Sequence, residues 1–165
     1  AITAWSEFGH KGQIAYGDDI VIAVVDGGFD PKHNDLINNM WINKGEIAGN
    51  NIDDDGNGYV DDVNGWDIES NTGEIQMDSH GTHVAGIMGA QGDNGINGVG
   101  INWNVKIMYV SAGWGLGDTA TTMSAYGYIL KQKQIWLESD GKRGANVVAI
   151  NSSFGIDRAD CNTSE

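Results

Sequence analysis

The stretch DIVIAVVDGG, residues 19–28, contains an unbroken apolar run from Ile20 to Val25 between an aspartate and two glycines. Most residues of this run are β-branched, which favours a strand over a helix. Strands that are covered on both faces, as in parallel sheets, are apolar along their whole length. The stretch therefore predicts a buried parallel strand that ends at Asp26.

Two later stretches predict further strands of the same kind. NVKIMYVSAG, residues 104–113, has its apolar core from Val105 to Val110. ANVVAINSS, residues 145–153, is apolar over a length too short for a helix. Both stretches are rich in β-branched residues, so we expect them to join the first strand in one sheet.

The segment between these two strands, residues 118–139, predicts a helix. It begins with Asp118, a good capping residue. The apolar residues near helical spacing, which we expect to face the sheet, are Met123, Tyr126, Leu130 and Leu137. A strand, helix and strand in succession form the repeating unit of a parallel sheet.

A second helix is expected over SHGTHVAGIMGA, residues 79–90, with Ser79 as its N-cap and its apolar side on Val84, Ile87 and Met88. Its glycines weaken it intrinsically, so burial must compensate. Gly81 and Gly86 suggest that another part of the chain approaches this helix closely.

These elements predict an α/β fold with a mostly parallel central sheet flanked by helices, in a single domain of 165 residues. Residues 43–76 are polar, carry Asn-Gly turns and lack a helical period, so we expect them to leave the sheet as an excursion. Functional sites of such sheets gather at the carboxyl ends of the strands. Asp26 and residues 151–153 follow two of those ends.

The charge of the chain favours cations as partners. Nine Lys and Arg against 23 Asp and Glu give a net charge of −14. Such a balance argues against binding nucleic acid phosphates or anionic lipid. No apolar run has the length of a membrane span, and the first residues lack the pattern of a signal peptide. We therefore expect neither a nucleic acid nor a membrane partner.

The segment NNIDDDGNGYVDDVNGWD, residues 50–67, resembles a calcium loop. It places oxygen ligands at alternate positions with a glycine for the turn, as Ca²⁺ binding requires. The candidate ligands are Asp53, Asp55, Asn57, the carbonyl of Tyr59, Asp61 and Asp62. The twelfth position is Asn64 instead of Glu, and no amphipathic helices flank the loop, so an EF-hand is not expected. The alternative is an acidic solvated turn without an ion.

The motif HGTHVAG, residues 80–86, contains two histidines with several possible roles. His80 could be a surface residue, and His83 could be packed and hydrogen-bonded in the core. A zinc site is a weak interpretation, because the pair lacks a third ligand nearby.

Three motifs together carry a family resemblance. VVDGGFDPKHNDL (24–36), HGTHVAG (80–86) and INSSFG (150–155) resemble the aspartate, histidine and substrate-binding segments of the subtilisin-like serine proteases, the subtilases of peptidase family S8, in the family's chain order. The resemblance extends from about Trp5 to Gly155 and implies the subtilisin-like three-layer fold. It implies that Asp26 is the triad aspartate and His80 the general base, with His83 a structural residue of the helix.

The resemblance also implies a cleft that binds an extended peptide or protein substrate by strand addition. Ser153, Phe154 and Gly155 would form one wall of this cleft. The segment GWGLG (113–117), with Gly115, Leu116 and Gly117, resembles the facing strand more weakly. The chemistry suits the triad, because an imidazole held by a carboxylate activates a serine hydroxyl.

Two departures from the family pattern matter. Gly27 stands where the family generally has Ser or Thr, which removes a side-chain hydrogen bond near the carboxylate. The family's G-T-S-x-A nucleophile motif and its oxyanion-hole Asn do not occur in residues 1–165.

We therefore expect this chain to be the N-terminal part of one catalytic domain, with a calcium-like insertion at about 50–66, and to be inactive alone. The C-terminal remainder is the expected partner, and Cys161 could bond to it.

The resemblance and the calcium loop together imply a secreted, calcium-stabilised serine endopeptidase. Two alternatives remain open at the level of sequence. One is an inactive relative that binds peptides in the same cleft. The other is a calcium-dependent adhesion or scaffold module.

Overall fold

A computed structural model describes residues 20–96, 98–113 and 118–155 of the protein. Its strands are β1 (Val21–Asp26), β2 (Gly65–Asp67), β3 (Lys106–Ser111) and β4 (Val147–Ser152). Its α-helices are α1 (Ser79–Gly89) and α2 (Thr119–Glu138), and a short 3-10 helix covers Ile37–Asn39. Gly115, Leu116, Gly117 and Cys161 lie outside the described residues.

The four strands form one parallel sheet in the order β2-β3-β1-β4. The strand predicted from DIVIAVVDGG lies inside the sheet, between β3 and β4. β1 pairs with β3 without interruption, from Val21 opposite Lys106 to Asp26 opposite Ser111. The predicted α/β fold with a parallel central sheet is therefore confirmed.

The helices cover opposite faces of this sheet, which gives three layers. On one face the odd-numbered side chains of β1, such as Ala23 and Val25, pack in a core that includes Tyr128 of α2. On the other face Val24 packs in a second core that includes Ala85 of α1. Because successive side chains of a strand point to opposite faces, a fully apolar β1 serves both cores.

The predicted α2 and its Asp118 cap are confirmed: the carboxylate of Asp118 accepts hydrogen bonds from Thr121. Of the four residues expected on its inner face, Tyr126 packs against the core and the other three are wrong. Met123, Leu130 and Leu137 are each at least 60% exposed. The buried positions are Ala125, Tyr128, Ile129 and Gln132. This stripe is buried because small Ala125 permits close packing and because Gln132 finds a polar partner beneath the helix. Hydrophobicity alone therefore misplaced the face.

The prediction for α1 needs two corrections. Its N-cap is Asp78 instead of Ser79, because Ser79 is already the first helical residue and the carboxylate of Asp78 accepts from the amides of His80 and Gly81. Ile87 is 53% exposed, whereas Val84 and Met88 do pack against the core. The helix approaches the sheet mainly through its small residues Gly81, Ala85 and Gly89, which are its buried positions.

Strand β2 was missed within the polar excursion of residues 43–76. It is only three residues long, and its pairing with β3 begins at Gly65, opposite Tyr109. A Cβ on Gly65 would lie 1.7 Å from the carbonyl oxygen of Tyr109, so the strand can approach this closely only with glycine there. Within the described residues, no helix is long and apolar enough to cross a membrane.

Candidate active site

Asp26 occupies the carboxyl end of β1 and is almost completely buried, with 2% of its surface exposed. Its Oδ1 atom accepts a hydrogen bond of 2.8 Å from the backbone N–H of Gly27. The strand fixes the backbone of Asp26, because its carbonyl accepts from Ala112 N just beyond β3. The carboxylate is thereby held in one position at the sheet edge where functional sites collect.

His80 lies in the first turn of α1, directly beside this carboxylate. Its Nδ1 atom is 2.9 Å from Oδ1 and 3.0 Å from Oδ2 of Asp26. An ionised carboxylate only accepts hydrogen bonds, so Nδ1 carries the hydrogen and Nε2 of the neutral ring has a free lone pair. The His80 side chain is 59% exposed. The ring can therefore take a proton from a hydroxyl group that approaches from outside.

The hydrogen bond and the charge of Asp26 raise the pKa of His80 above its usual value, and Asp78 adds a smaller electrostatic contribution. Both carboxylates stabilise the imidazolium form. A base with a raised pKa accepts a proton more readily. The sequence placed these two residues 54 positions apart, and the fold brings them into direct contact.

The close contact between α1 and β1 depends on Gly81. A Cβ at this position would lie 2.1 Å from the carbonyl oxygen of Gly28 and 3.0 Å from Cβ of Asp26. The expectation that something approaches the helix at Gly81 is confirmed, whereas Gly86 has no described atom within 4 Å of such a Cβ. His83 is exposed, so the prediction that it is packed in the core is wrong for the described residues.

Gly27 leaves measurable room beside the pair. A Cβ at this position would lie 3.4 Å from Oδ2 of Asp78, an ordinary van der Waals contact. A Cβ would therefore fit here without a clash. Neither close packing nor a left-handed backbone conformation requires glycine at this position.

Ser153, Phe154 and Gly155 follow the carboxyl end of β4, at the same edge of the sheet as Asp26. Ser153 and Gly155 are exposed, and Phe154 is half-buried against the α2-side core. The Ser153 hydroxyl donates to Oδ1 of Asn151 over 2.8 Å. The segment therefore continues β4 at the same sheet edge as the pair, with Ser153 and Gly155 exposed.

The acidic loop binds its own backbone through carboxylates. Asp61 accepts from the amides of Gly49, Asn50 and Asn51, at 2.8–3.2 Å. Asp53 accepts from the amides of Asn57 and Gly58 at 3.0 and 2.8 Å. These two predicted ligands are thus engaged within the loop.

Asp55 and Asp62 do come together, joined by Glu46. One carboxylate oxygen of each of these three residues lies within 4.8 Å of the other two. Asn57, another predicted ligand, is buried and donates its side-chain amide to Asp62. Three carboxylates at this spacing repel one another, and an all-oxygen donor set suits a hard cation such as Ca²⁺.

Asp62 connects this group to the core. Its Oδ2 atom accepts from the hydroxyl of Tyr128 at 2.8 Å and from Nε2 of Gln132 at 2.7 Å, both on α2. Burial raises the pKa of Asp62 to about 7, although the hydrogen bonds from Tyr128, Asn43 and Asn57 oppose this rise. The loop is therefore attached to the inner face of α2 through one buried carboxyl group.

Sequence reasoning missed Glu46 and the capping role of Asp78. Glu46 lies seven residues before Asp53 and outside the loop pattern, so its spacing carries no signal. It accepts from the amides of Asp54, Asp55 and Asp61, which folds residues 46–61 around it. Asp78 could have been found from the sequence, because aspartate is as good an N-cap as serine.

Comparison with known proteins identifies the family. The family model described as the subtilase family matches residues 17–165. The chain belongs to the subtilase family. The aspartate and histidine motifs that suggested the resemblance are the two that the fold joins at 2.9 Å.

Several curated relatives carry protease names. The chain is 45% identical over 93 residues to subtilisin-like protease 1 of Plasmodium vivax, covering 55% of the chain and 15% of that protein. It is 36% identical over 140 residues to subtilisin-like protease 1 of Plasmodium berghei (strain Anka), covering 82% of the chain and 21% of that protein. It is 33% identical over 140 residues to the cell wall-associated protease of Bacillus subtilis (strain 168), covering 84% and 12%. The chain thus spans about a fifth or less of the length of these relatives.

Proposed function

We propose that this subtilase chain contributes the aspartate and histidine of an Asp/His/Ser triad that hydrolyses peptide bonds. Asp26 orients His80 and stabilises its protonated form, and Nε2 of His80 removes the proton from a serine hydroxyl. The single observation that carries the proposal is the 2.9 Å contact between Nδ1 of His80 and the buried carboxylate of Asp26. The serine belongs to a segment outside residues 1–165.

The substrate is a peptide or protein segment in extended form. Support comes from residues 153–155, which continue β4 at the edge where His80 lies. Gly115, Leu116 and Gly117 are proposed to form the facing strand. Substrate backbone would pair between the two segments, so that affinity comes from main-chain hydrogen bonds.

Calcium is the proposed ion of the acidic loop. Support comes from the carboxylates of Glu46, Asp55 and Asp62, with Asn57 beside them. The ion would offset their mutual repulsion and fix the loop on α2. Asp53, the carbonyl of Tyr59 and Asp61 would join the ligand set only if the loop rearranges when the ion binds.

The remaining assignments follow from these proposals. We infer that residues 1–165 form the N-terminal part of one catalytic domain, whose serine-bearing remainder is its partner. We further infer a secreted protein, since a loop of this kind suits the millimolar calcium found outside cells.

The test uses the full protein and a fluorophosphonate probe, which labels activated serines. We expect labelling of the wild type, and a fall in labelling rate of at least about a thousandfold in His80→Ala, because triad members act as a unit. His33→Gln is the matched control, since His33 is an exposed histidine outside the pair. A folded wild type that takes no label would instead identify an inactive peptide-binding relative.

A further inference from the structure

A basic cavity lies at the end of the sheet opposite the candidate active site. It has a volume of about 460 Å³ and opens beside Val21, the first residue of β1, whereas Asp26 ends the same strand. Five residue steps along a strand separate the two ends, a distance of roughly 17 Å. A ligand in this cavity would therefore not compete with a peptide at His80.

The charge of the cavity is opposite to that of the chain. The chain has nine basic residues and a net charge of −14. Four of the nine line this cavity: Lys44, Lys106, Lys142 and Arg143. Among the described residues that line it, none is acidic. Electrostatic screening in physiological salt acts over about 8 Å, so the four cations act together on a ligand in the cavity, with the carboxylate of Asp55 at its edge beside Gly45.

Three separate segments supply the cations, and Lys44 lies in a turn after Asn43. Lys106 begins β3, and its Nζ donates to the carbonyl of Asn38 over 2.6 Å. Lys142 and Arg143 lie in a turn between Gly141 and Gly144, whose φ angles are +77° and +69°. A Cβ on Gly144 would lie 2.3 Å from the carbonyl oxygen of Gln132, so only glycine lets this turn fold back onto α2.

The cavity also has a flat apolar wall. The indole of Trp136 lines it, and Nζ of Lys133 lies 4.6 Å from the centre of that ring. A volume of this size matches small-ligand sites and exceeds what an inorganic anion fills. Guanidinium and ammonium groups beside an aromatic wall suit a compact organic body that carries an oxyanion.

We propose that this cavity binds a small phosphate or sulfate monoester, such as a sugar ester. Nη1 of Arg143 donates to the carbonyl of Asp55 over 3.5 Å, and the remaining N–H groups of this guanidinium can donate to the tetrahedral oxyanion. The lysines supply point charges. The organic body of the ester lies against Trp136. Bound ligand stabilises the native state and leaves the peptide cleft open.

The test is calorimetric titration of the full protein at low ionic strength, with calcium held constant. Glucose phosphate and glucose sulfate distinguish the two sources of the oxyanion, and glucose itself is the uncharged reference. We expect at least one ester to bind, glucose not to bind, and added NaCl to weaken the affinity. If neither ester binds the wild type, or glucose binds equally well, the proposal is overturned.

Variants locate the site. Lys142→Ala/Arg143→Ala is expected to lower the ester affinity about a hundredfold, at about tenfold for each lost cation. Lys44→Ala, on a different segment, is expected to lower it about tenfold and keeps the test valid if the double variant misfolds. Lys131→Ala removes an exposed α2 lysine that does not line the cavity and should leave the affinity unchanged. Equal binding by the Lys44→Ala, Lys131→Ala and wild-type proteins would overturn the proposal.

Discussion

Replacing Gly81 by alanine should separate α1 from β1 and weaken the contact between His80 and Asp26. The new Cβ would lie 2.1 Å from the carbonyl oxygen of Gly28, so the helix must shift by roughly 1 Å. Overpacking of this kind costs about 1–3 kcal/mol, and the better helix propensity of alanine returns about 1 kcal/mol. We expect a net loss of up to about 2 kcal/mol in the free energy of unfolding.

The matched control is Gly127→Ala, because Gly127 is an exposed glycine inside α2 with no described atom within 4 Å of a new Cβ. That variant should gain about 1 kcal/mol from propensity alone. Urea denaturation measures both changes, and NMR titration follows the pKa of His80, which should fall toward 6.5 in Gly81→Ala. If Gly81→Ala is as stable as Gly127→Ala and its His80 pKa is unchanged, the close approach described here is refuted.

Three further predictions concern the charged groups. In Asp26→Asn the pKa of His80 should fall, which NMR titration measures; an unchanged pKa would contradict the contact. In the wild type, the stability that protonated His80 adds is complete below about pH 6.5 and is lost as pH rises through the raised pKa, and this contribution should shrink in the variant. Asp62→Asn should cost about 1.5–3 kcal/mol in urea denaturation, since the hydrogen bonds from Tyr128 and Gln132 would then go to a neutral amide instead of a carboxylate; an unchanged midpoint would contradict this. Asp55→Asn should reduce the calcium-dependent rise in melting temperature, whereas Asp54→Asn, outside the carboxylate group, should retain it.

The sheet was predictable because its strands are apolar along their whole length. The stretches containing Ile20–Val25, Val105–Val110 and 145–153 each formed a strand within a residue or two of the expected bounds. Strand β2 was not predictable, since its three residues are recruited by β3 through a glycine contact that no local pattern reveals. The buried face of α2 was not predictable for a related reason, because Gln132 is buried through its hydrogen bond to Asp62, 70 residues away.

The candidate site divides in the same way. Asp26 and His80 were found through motif resemblance, because neither spacing nor composition joins residues 54 positions apart. Glu46 could not be found, since its role depends on how residues 46–61 fold around its carboxylate. Asp78 and Ser79 are both good capping residues, so the sequence indicated a cap here but not which of the two residues forms it.

The carboxylates that hold the amides of the acidic loop should protect this loop from proteolysis. A peptide must offer extended backbone with free N–H groups to be cut by strand addition, and here Asp61 already holds the amides of residues 49–51. Asn51 and Asp61 also have φ angles near +60°, which no extended strand adopts. An exposed, polar, glycine-rich loop would ordinarily be the first point of attack in a concentrated protease solution. This loop instead has to break its hydrogen bonds to Asp61 before it can extend into a protease cleft.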